Sequence, residues 1–418
     1  MNQDGNTTAS RGCRFCGKSL TTTFVDLGMS PLCQTHVDAA HLGDREIFYP
    51  LHAYVCDQCF LVQLGEFATP EEIFTEYAYF SSYSESWLKH CEAYCNTMRE
   101  LFHLNTQSQV FEIASNDGYL LQYFVRSGVG VLGIEPAQNV AAVARSKGVP
   151  TISQFLGEQT ARGIVAEFGQ ADLVLGNNVL AHVPNLNDFV EGMRVLLKLD
   201  GVITMEFPHL VELMIHNQFD TIYHEHFSYL SFTTVEKVFA AHHLTLFDVE
   251  KLPTHGGSIR IYARHSGNTR HAITPRVQVM KEEEDRYGIT RISTYADFEQ
   301  RVHAVKRDIL DLLISIKRKG KLIAGYGAPG KGNTLLNYCG IRTDLLDFTV
   351  DRNPYKQGKY TPGTHIPIFD PAHLKGVKPD YVFILPWNLK DEIVVQHGYI
   401  REWGGQFIVP IPHPVVLP

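Results

Sequence analysis

Two rhythms of apolar residues divide this chain. From residue 110 onward, short and nearly unbroken apolar runs alternate with stretches where apolar residues recur every three or four positions. Val110-Phe111-Glu112-Ile113, Val131-Leu132-Gly133-Ile134-Glu135, Asp172-Leu173-Val174-Leu175 and Gly201-Val202-Ile203-Thr204-Met205-Glu206 read as strands. Gly118 to Ser127, Ala141 to Lys147 and Asp188 to Leu197 read as the helices that follow the first three of them. Residues 84–105 read as a helix ahead of them, with Trp87, Leu88, Tyr94, Met98, Leu101 and Phe102 near helical spacing. Strands and helices alternating in this way predict a parallel, doubly wound sheet.

The pattern then breaks and restarts. The charged run Lys281-Glu282-Glu283-Glu284-Asp285-Arg286 predicts a solvated helix face. A long helix over about 296–318 follows, and then strands at Lys321-Leu322-Ile323-Ala324-Gly325, Leu346-Asp347-Phe348-Thr349-Val350 and Tyr381-Val382-Phe383-Ile384-Leu385. This second series predicts a smaller Rossmann-like α/β unit. No fixed-period repeat and no low-complexity tract is present.

Residues 13 to about 75 show neither rhythm. Their segments are short, with turn signals at Leu27-Gly28 and Ser30-Pro31. They carry two knuckles, Cys13-x-x-Cys16 and Cys56-x-x-Cys59, separated by 39 residues. Two thiolates two residues apart can take two corners of a tetrahedron, and a second pair closes the site. The expectation is a structural Zn²⁺ with no open position, and the alternative is a pair of disulfides or four ordinary buried thiols. A closed site of this kind builds a small domain and places the chemistry further along the chain. Cys91 and Cys95, four apart on the predicted helix, read as half-buried core.

Composition narrows the picture by exclusion. Hydrophobic residues make up 44% and charged residues 20% of 418, as expected of a soluble globular protein. A formal charge of −8 argues against nucleic acid and against anionic membrane as partners. The apolar runs are too short for a spanning helix, and the first twelve residues lack the apolar core of a secretion signal. A reduced, cytoplasmic setting is expected, which suits metal thiolates.

Three constellations could carry chemistry. Glu112-Ile-Ala-Ser-Asn-Asp-Gly118 sits where the first strand turns into its helix, and Glu135 ends the second strand. A carboxylate there can accept both hydroxyls of a ribose. The turn is poor in Gly, which suits an adenosine cofactor without phosphate, such as S-adenosylmethionine. Gly325-Tyr-Gly-Ala-Pro-Gly330, with Asp351 ending the next strand, reads as a dinucleotide fingerprint or as a tight backbone turn. Pro329 could take the first helical position, and Lys331 could neutralise a phosphate. Tyr223-His224-Glu225-His226 is a dense titratable cluster, read as a site for an imidazole base near neutral pH, as a metal site or as a surface cluster without a role. His182 lies after a strand end, where sites gather in such sheets. Tyr77, Tyr79, Phe80 and Tyr83 form an aromatic patch read as domain packing. His255-Gly256-Gly257-Ser258-Ile259-Arg260 reads as close backbone approach that places Arg260, or as a hairpin.

Several further pieces stand in the same order: Tyr79-Phe80-Ser81-Ser82, Asn178 with His182, Pro253-Thr254-His255-Gly256-Gly257-Ser258, Asn337-Tyr338-Cys339-Gly340 and Pro386-Trp387-Asn388. Together with the Cys pairs, they make nearly the whole chain resemble the zinc-containing, S-adenosylmethionine-dependent C-methyltransferases of nucleotide-linked deoxysugars. Among these it is most similar to the 3-C-methyltransferases of dTDP-4-keto-6-deoxyhexoses.

The resemblance implies a zinc-binding domain over 1–78, a Rossmann-like methyltransferase domain over 79–295 and a C-terminal α/β domain over 296–418. A dTDP-linked ketosugar would lie between the last two, and the Gly325 turn would face it. Cofactor contacts are implied at Glu112, Ser115, Asn116, Asp117, Gly118, Glu135 and Asn178. His226 is the implied base, with Tyr223 as its partner or an alternative base. Tyr79, His182 and Glu225 would line the reacting end. The resemblance favours a monomer. One departure is Ala114-Ser115, where many S-adenosylmethionine enzymes carry Gly. Two rival readings are an NAD-dependent sugar-nucleotide oxidoreductase, from the Gly325 fingerprint, and a zinc-ribbon protein adaptor.

Overall fold

The computed structural model describes residues 12–67, 69, 82 and 85–418. The first part of the chain forms β1 (Thr22–Ser30), β2 (Val37–Asp38), β3 (Tyr49–Val55) and β4 (Val62–Leu64). The central part forms β5 (Gln109–Ile113), β6 (Gly130–Ile134), β7 (Thr151–Ile152), β8 (Ala171–Asn177), β9 (Leu197–Pro208), β10 (Ser228–Tyr229), β11 (Leu244–Leu252) and β12 (Ser258–His265). The last part forms β13 (Ile323–Tyr326), β14 (Phe348–Val350), β15 (Lys359–Tyr360), β16 (Ile368–Phe369), β17 (Tyr381–Ile384), β18 (Gln406–Val409) and β19 (Val415–Leu417).

The central sheet has seven strands in the order β11-β12-β9-β8-β5-β6-β7. Strands β5 to β9 run parallel, and β12 is antiparallel to both β9 and β11. The order reverses between β5 and β8, so a crevice opens beyond their C-terminal ends. The C-terminal sheet, β16-β14-β13-β17-β18-β19, repeats the scheme with a switch between β13 and β17. Helix Phe298–Arg318 leads into it and buries Phe298, Val302, Val305, Ile309, Leu313 and Ile316 at helical spacing.

The zinc-binding part is a wedge between the two. Its sheet, β1-β3-β4-β10, is completed by β10 from the central part of the chain. Phe24 on β1 stacks on Phe298 at 4.5 Å, in a core shared with the C-terminal unit. Cys13, Cys56 and Cys59 belong instead to the core of the central unit. The short β2–β15 ladder adds a second tie to the C-terminal part.

Three expectations change. Glu284 in the charged run is 1% exposed, not solvated. It shares one face of helix Pro275–Tyr287 with buried Val277 and Met280. Its carboxylate accepts the N–H groups of Phe232 (2.7 Å) and Thr233 (2.8 Å), capping helix Phe232–Ala241, and pairs with His209 at 2.7 Å. Cys91 and Cys95 are fully buried. Pro329 stands just before helix Gly330–Cys339, in extended conformation, because the chain is still turning out of β13.

Candidate active site

The Cys13, Cys16, Cys56 and Cys59 sulfurs lie within 4.8 Å of one another, with two pairs at 3.5 Å. A tetrahedron with Zn–S bonds of about 2.3 Å has edges of about 3.8 Å, so the donor set fits Zn²⁺. Gln63 donates to the Cys13 sulfur at 3.1 Å, an outer hydrogen bond of the kind that fixes a ligand. Between the first two ligands, Arg14 donates to the carbonyl of Pro184 at 2.8 Å, and Asn187 donates to the carbonyl of Phe15 at 2.9 Å. The zinc knuckle therefore braces the loop that carries His182.

That loop borders a cavity of about 1210 Å³ between the central and C-terminal units. Sites for one small molecule run to about 300–1,000 Å³, so two ligands have room here. Its wall combines the ends of β5, β6 and β8 with the ends of β13 and β14.

On the central side the lining includes Ala114, Asn116, Glu135, Phe155, Asn177, Asn178 and Asp188, and among the described residues no Lys or Arg. Glu135 is 5% exposed and accepts the N–H groups of Asn116 and Ala137, both at 2.9 Å. Burial raises its pKa, and those two bonds work against the rise. Each carboxylate oxygen keeps a second lone pair for a hydroxyl. Ala114 and Asn116 stand at φ 55° and 49°, the left-handed region that Gly would occupy without strain. An apolar, acidic wall of this kind fits an adenosine that carries a positive sulfonium and no phosphate.

The other cofactor candidates shape the turn from behind. Glu112, Ser115, Asp117 and Gly118 do not line the cavity. Glu112 is fully buried beside Tyr119, and burial holds its pKa well above the carboxylate range. Ser115 packs on Gly133, where a Cβ would strike it. Asp117 pairs with Lys147 at 2.9 Å and accepts from Ser82.

At the centre stand His226, Tyr223, His182 and Glu225, all lining the cavity. The Thr221 carbonyl lies 2.8 Å from His226 Nδ1 and can only accept, so Nδ1 carries the proton and Nε2 is left basic. The Tyr223 ring lies 4.0 Å from His226, and His182 meets it edge-on at 4.6 Å. Burial, and then the neighbouring His182, push the His226 pKa well below 6.5. Burial takes His182 to about 4 against a hydrogen bond with the backbone of Glu225. The Glu225 carboxylate accepts from the Cys33 thiol at 3.4 Å. His224 faces away and bonds the Pro50 carbonyl at 3.2 Å. Strand β10 begins two residues after His226, which pins this segment to the zinc-side sheet. Tyr79, and with it Tyr77, Phe80 and Tyr83, lies outside the described residues.

The wall also draws on residues to which the sequence assigned no catalytic or cofactor role. His255, at φ 54°, accepts from Asn178 at 2.9 Å and stacks with Trp87 at 5.4 Å. Trp87 also stacks with His90, which bonds buried Glu206 at 2.9 Å. Burial works to raise the Glu206 pKa, but His90 and Arg260, the latter at 2.8 Å, bring it to about 2. Arg260 thus holds the wall in place and stays out of the cavity.

Among the described residues the cavity's cations, Lys331, Arg352 and Lys356, all come from the C-terminal side. Asp351 accepts Ala328 N–H at 2.7 Å, and Lys356 donates to the Ala328 carbonyl at 2.8 Å. Gly327, at φ 87°, is needed because a Cβ there would meet Pro386 at 2.6 Å.

The strand order and the carboxylate at the second strand's end are those of a Rossmann-like unit that suits an adenosine cofactor. Matching family models are "Putative zinc binding domain" over residues 13–74, "Methyltransferase domain" over 87–249 and "C-methyltransferase C-terminal domain" over 253–412. The chain is 37% identical to the C-methyltransferase NovU of Streptomyces niveus over 405 residues, covering 97% of this chain and 96% of that protein. The chain belongs to the zinc-containing, S-adenosylmethionine-dependent C-methyltransferase family. Among solved structures, it is similar to an S-adenosylmethionine-dependent methyltransferase of Clostridium acetobutylicum (TM-score 0.33, 11% identity, 43% of this chain and 92% of that one). It is also similar to the magnesium protoporphyrin IX methyltransferase of Synechocystis with bound S-adenosylhomocysteine (TM-score 0.34, 14% identity, 42% and 82%). The oxidoreductase and adaptor readings are set aside by the family. Among the described residues no helix is long and apolar enough to cross a membrane.

Proposed function

We propose that this enzyme methylates C-3 of a nucleotide-linked 4-keto-deoxysugar, with dTDP as the nucleotide. The observation that carries the reading is His226, neutral and with Nε2 basic, in a cavity whose far wall is cationic. A carbon next to a ketone is acidic enough for imidazole to deprotonate it. Cationic side chains opposite suit a diphosphate.

When bound, S-adenosylmethionine supplies the activated methyl group and leaves as S-adenosylhomocysteine. Asn116, Glu135 and Asn178 would hold it, with Phe155 against its apolar face. His226 Nε2 takes the C-3 proton, and the electron pair passes to the C-4 oxygen as an enolate. The Thr221 carbonyl steadies the imidazolium that results. Tyr223 and His182 fix the ring's plane, and Glu225 orients the sugar. Zinc holds the His182 loop and does no chemistry.

The test is mass spectrometry of the enzyme with S-adenosylmethionine and a panel of dTDP-4-keto-6-deoxysugars. A methylated sugar nucleotide formed together with S-adenosylhomocysteine supports the reading. Absence of transfer across the panel, with S-adenosylmethionine still bound, refutes the substrate class.

A further inference from the structure

We propose that Lys331 is a catalytic residue whose ammonium group stabilises the enolate oxygen at C-4 of the sugar. The proposal rests on the ketosugar reading above and adds an electrophile to it.

Lys331 sits in the first turn of helix Gly330–Cys339 and lines the same cavity as His226. Its Nζ donates to Asn388 Oδ1 at 2.7 Å and lies 4.8 Å from the centre of the Trp387 ring. Trp387 in turn donates its indole N–H to Asp220 at 2.6 Å, across the boundary between the two units. Asp220 directly precedes Thr221, whose carbonyl holds His226. Asn388, Trp387, Asp220 and Thr221 therefore form one chain of contacts from the cation to the base.

The three cavity cations differ in their commitments. Arg352 pairs with Glu392 at 3.6 Å, and Lys356 with Asp351 at 3.8 Å. Among the described residues Lys331 makes no ion pair. Its place at a helix N-terminus sets it against the positive end of the helix dipole. Both facts leave it short of negative charge. His226 and His255 line the same cavity, and the charge of Lys331 lowers the pKa of each. Burial lowers the pKa of Lys331, and the more distant Asp220 carboxylate works in the opposite sense.

An enolate supplies the missing charge at the moment of reaction. The C-3–H bond breaks and its proton goes to His226 Nε2. The C-3–C-4 double bond forms and the C-4 oxygen becomes negative, accepting a hydrogen bond from Lys331 without taking its proton. When C-3 bonds to the methyl group the carbonyl re-forms, the methyl–sulfur bond breaks and sulfur keeps the electron pair. A fixed donor aimed at developing charge in a cavity of this kind is worth about 10²–10³-fold in rate.

The experiment follows deuterium from D₂O into C-3 of a dTDP-4-keto-6-deoxysugar, by mass spectrometry, with S-adenosylmethionine omitted. Wild type, Lys331→Met, Lys331→Gln and Lys331→Arg are compared at saturating sugar nucleotide. S-Adenosylhomocysteine binding confirms that each variant is folded, and Lys331→Gln keeps a hydrogen bond to Asn388 should the Met variant fold poorly. The expected result is exchange slowed about 10²–10³-fold in the Met and Gln variants, partial recovery with Arg, and sugar-nucleotide affinity close to wild type. Exchange at the wild-type rate with weakened sugar-nucleotide binding would make Lys331 a diphosphate anchor and overturn the proposal. Wild-type enzyme that exchanges no deuterium would remove the ketosugar reading itself, and the role of Lys331 with it.

Discussion

At the head of the central sheet, Glu135 accepts the N–H of Asn116 at 2.9 Å. At the head of the C-terminal sheet, Asp351 accepts the N–H of Ala328 at 2.7 Å. Each carboxylate ends the second strand of a doubly wound unit and ties down the turn after the first strand. The backbones agree and the surroundings do not. The central turn reaches positive φ with Ala114 and Asn116, whereas the C-terminal turn uses Gly327. The cavity wall is acidic and apolar beyond Glu135, but carries Lys331, Arg352 and Lys356 beyond Asp351. One backbone solution, used twice, therefore presents opposite charge to the two halves of one cavity. The histidine cluster lies where the halves meet.

The largest effect that would break this comparison comes from its midpoint. Removing the proposed base with His226→Asn should lower turnover by about 10²–10⁴-fold while leaving S-adenosylmethionine affinity unchanged, as read by kinetics and calorimetry. Turnover near wild type would take His226 out of the mechanism and favour Tyr223.

A smaller effect separates the two carboxylates. Glu135→Gln should weaken S-adenosylhomocysteine binding by about 10–100-fold, in line with about 1.5–3 kcal/mol for a charged hydrogen bond, and leave dTDP binding alone. Asp351→Asn should do the reverse. Equal losses of both ligands in either variant would show that the two halves are not independent.

The turns differ by less again. Gly327→Ala should destabilise the protein by about 1–3 kcal/mol in denaturant unfolding, since it adds both strain and a clash with Pro386. Ala114→Gly relieves strain and adds chain entropy, so its change should stay within about 1 kcal/mol. A large loss at Ala114 would mean that its methyl group packs against the cofactor or the core.

The last contrast is in titration. His226, His182 and His255 are held neutral, their pKa values lowered, the last two to about 4. The acid limb of turnover should therefore fall below pH 6.5, and a limb above that value would contradict a neutral buried base. Stability follows the same sign. Between pH 6.5 and about 4 the unfolded chain binds protons that the folded histidines refuse, so stability falls as pH falls through that window. Denaturant midpoints across it provide the check.

Much of this site was legible in the sequence because its signals are local. The Cys pairs, the strand–turn–helix at Glu112 to Gly118 and the carboxylate of Glu135 each occupy one short stretch, and backbone geometry dictates their spacing. The restart of the α/β pattern after residue 320 is equally local. The misreadings share a different cause. Glu284 sits in a charged run, yet it falls on the same helical face as Val277 and Met280, and only tertiary packing supplies the helix end that it caps. The His90–Glu206–Arg260 bonds and the Lys331–Trp387–Asp220 chain join residues far apart in sequence, which no spacing rule reaches. The wedge made by the zinc-side sheet belongs to the same group, since β10 is borrowed from the central chain and reads there as an ordinary short segment.

The central claim, that two like units hold two unlike ligands in one cavity, is tested most directly by calorimetry on the intact zinc-bound protein. S-Adenosylhomocysteine and dTDP are titrated separately, and then each into protein saturated with the other. One site is expected for each ligand, with either binding in the presence of the other. Mutual exclusion of the two ligands would contradict it.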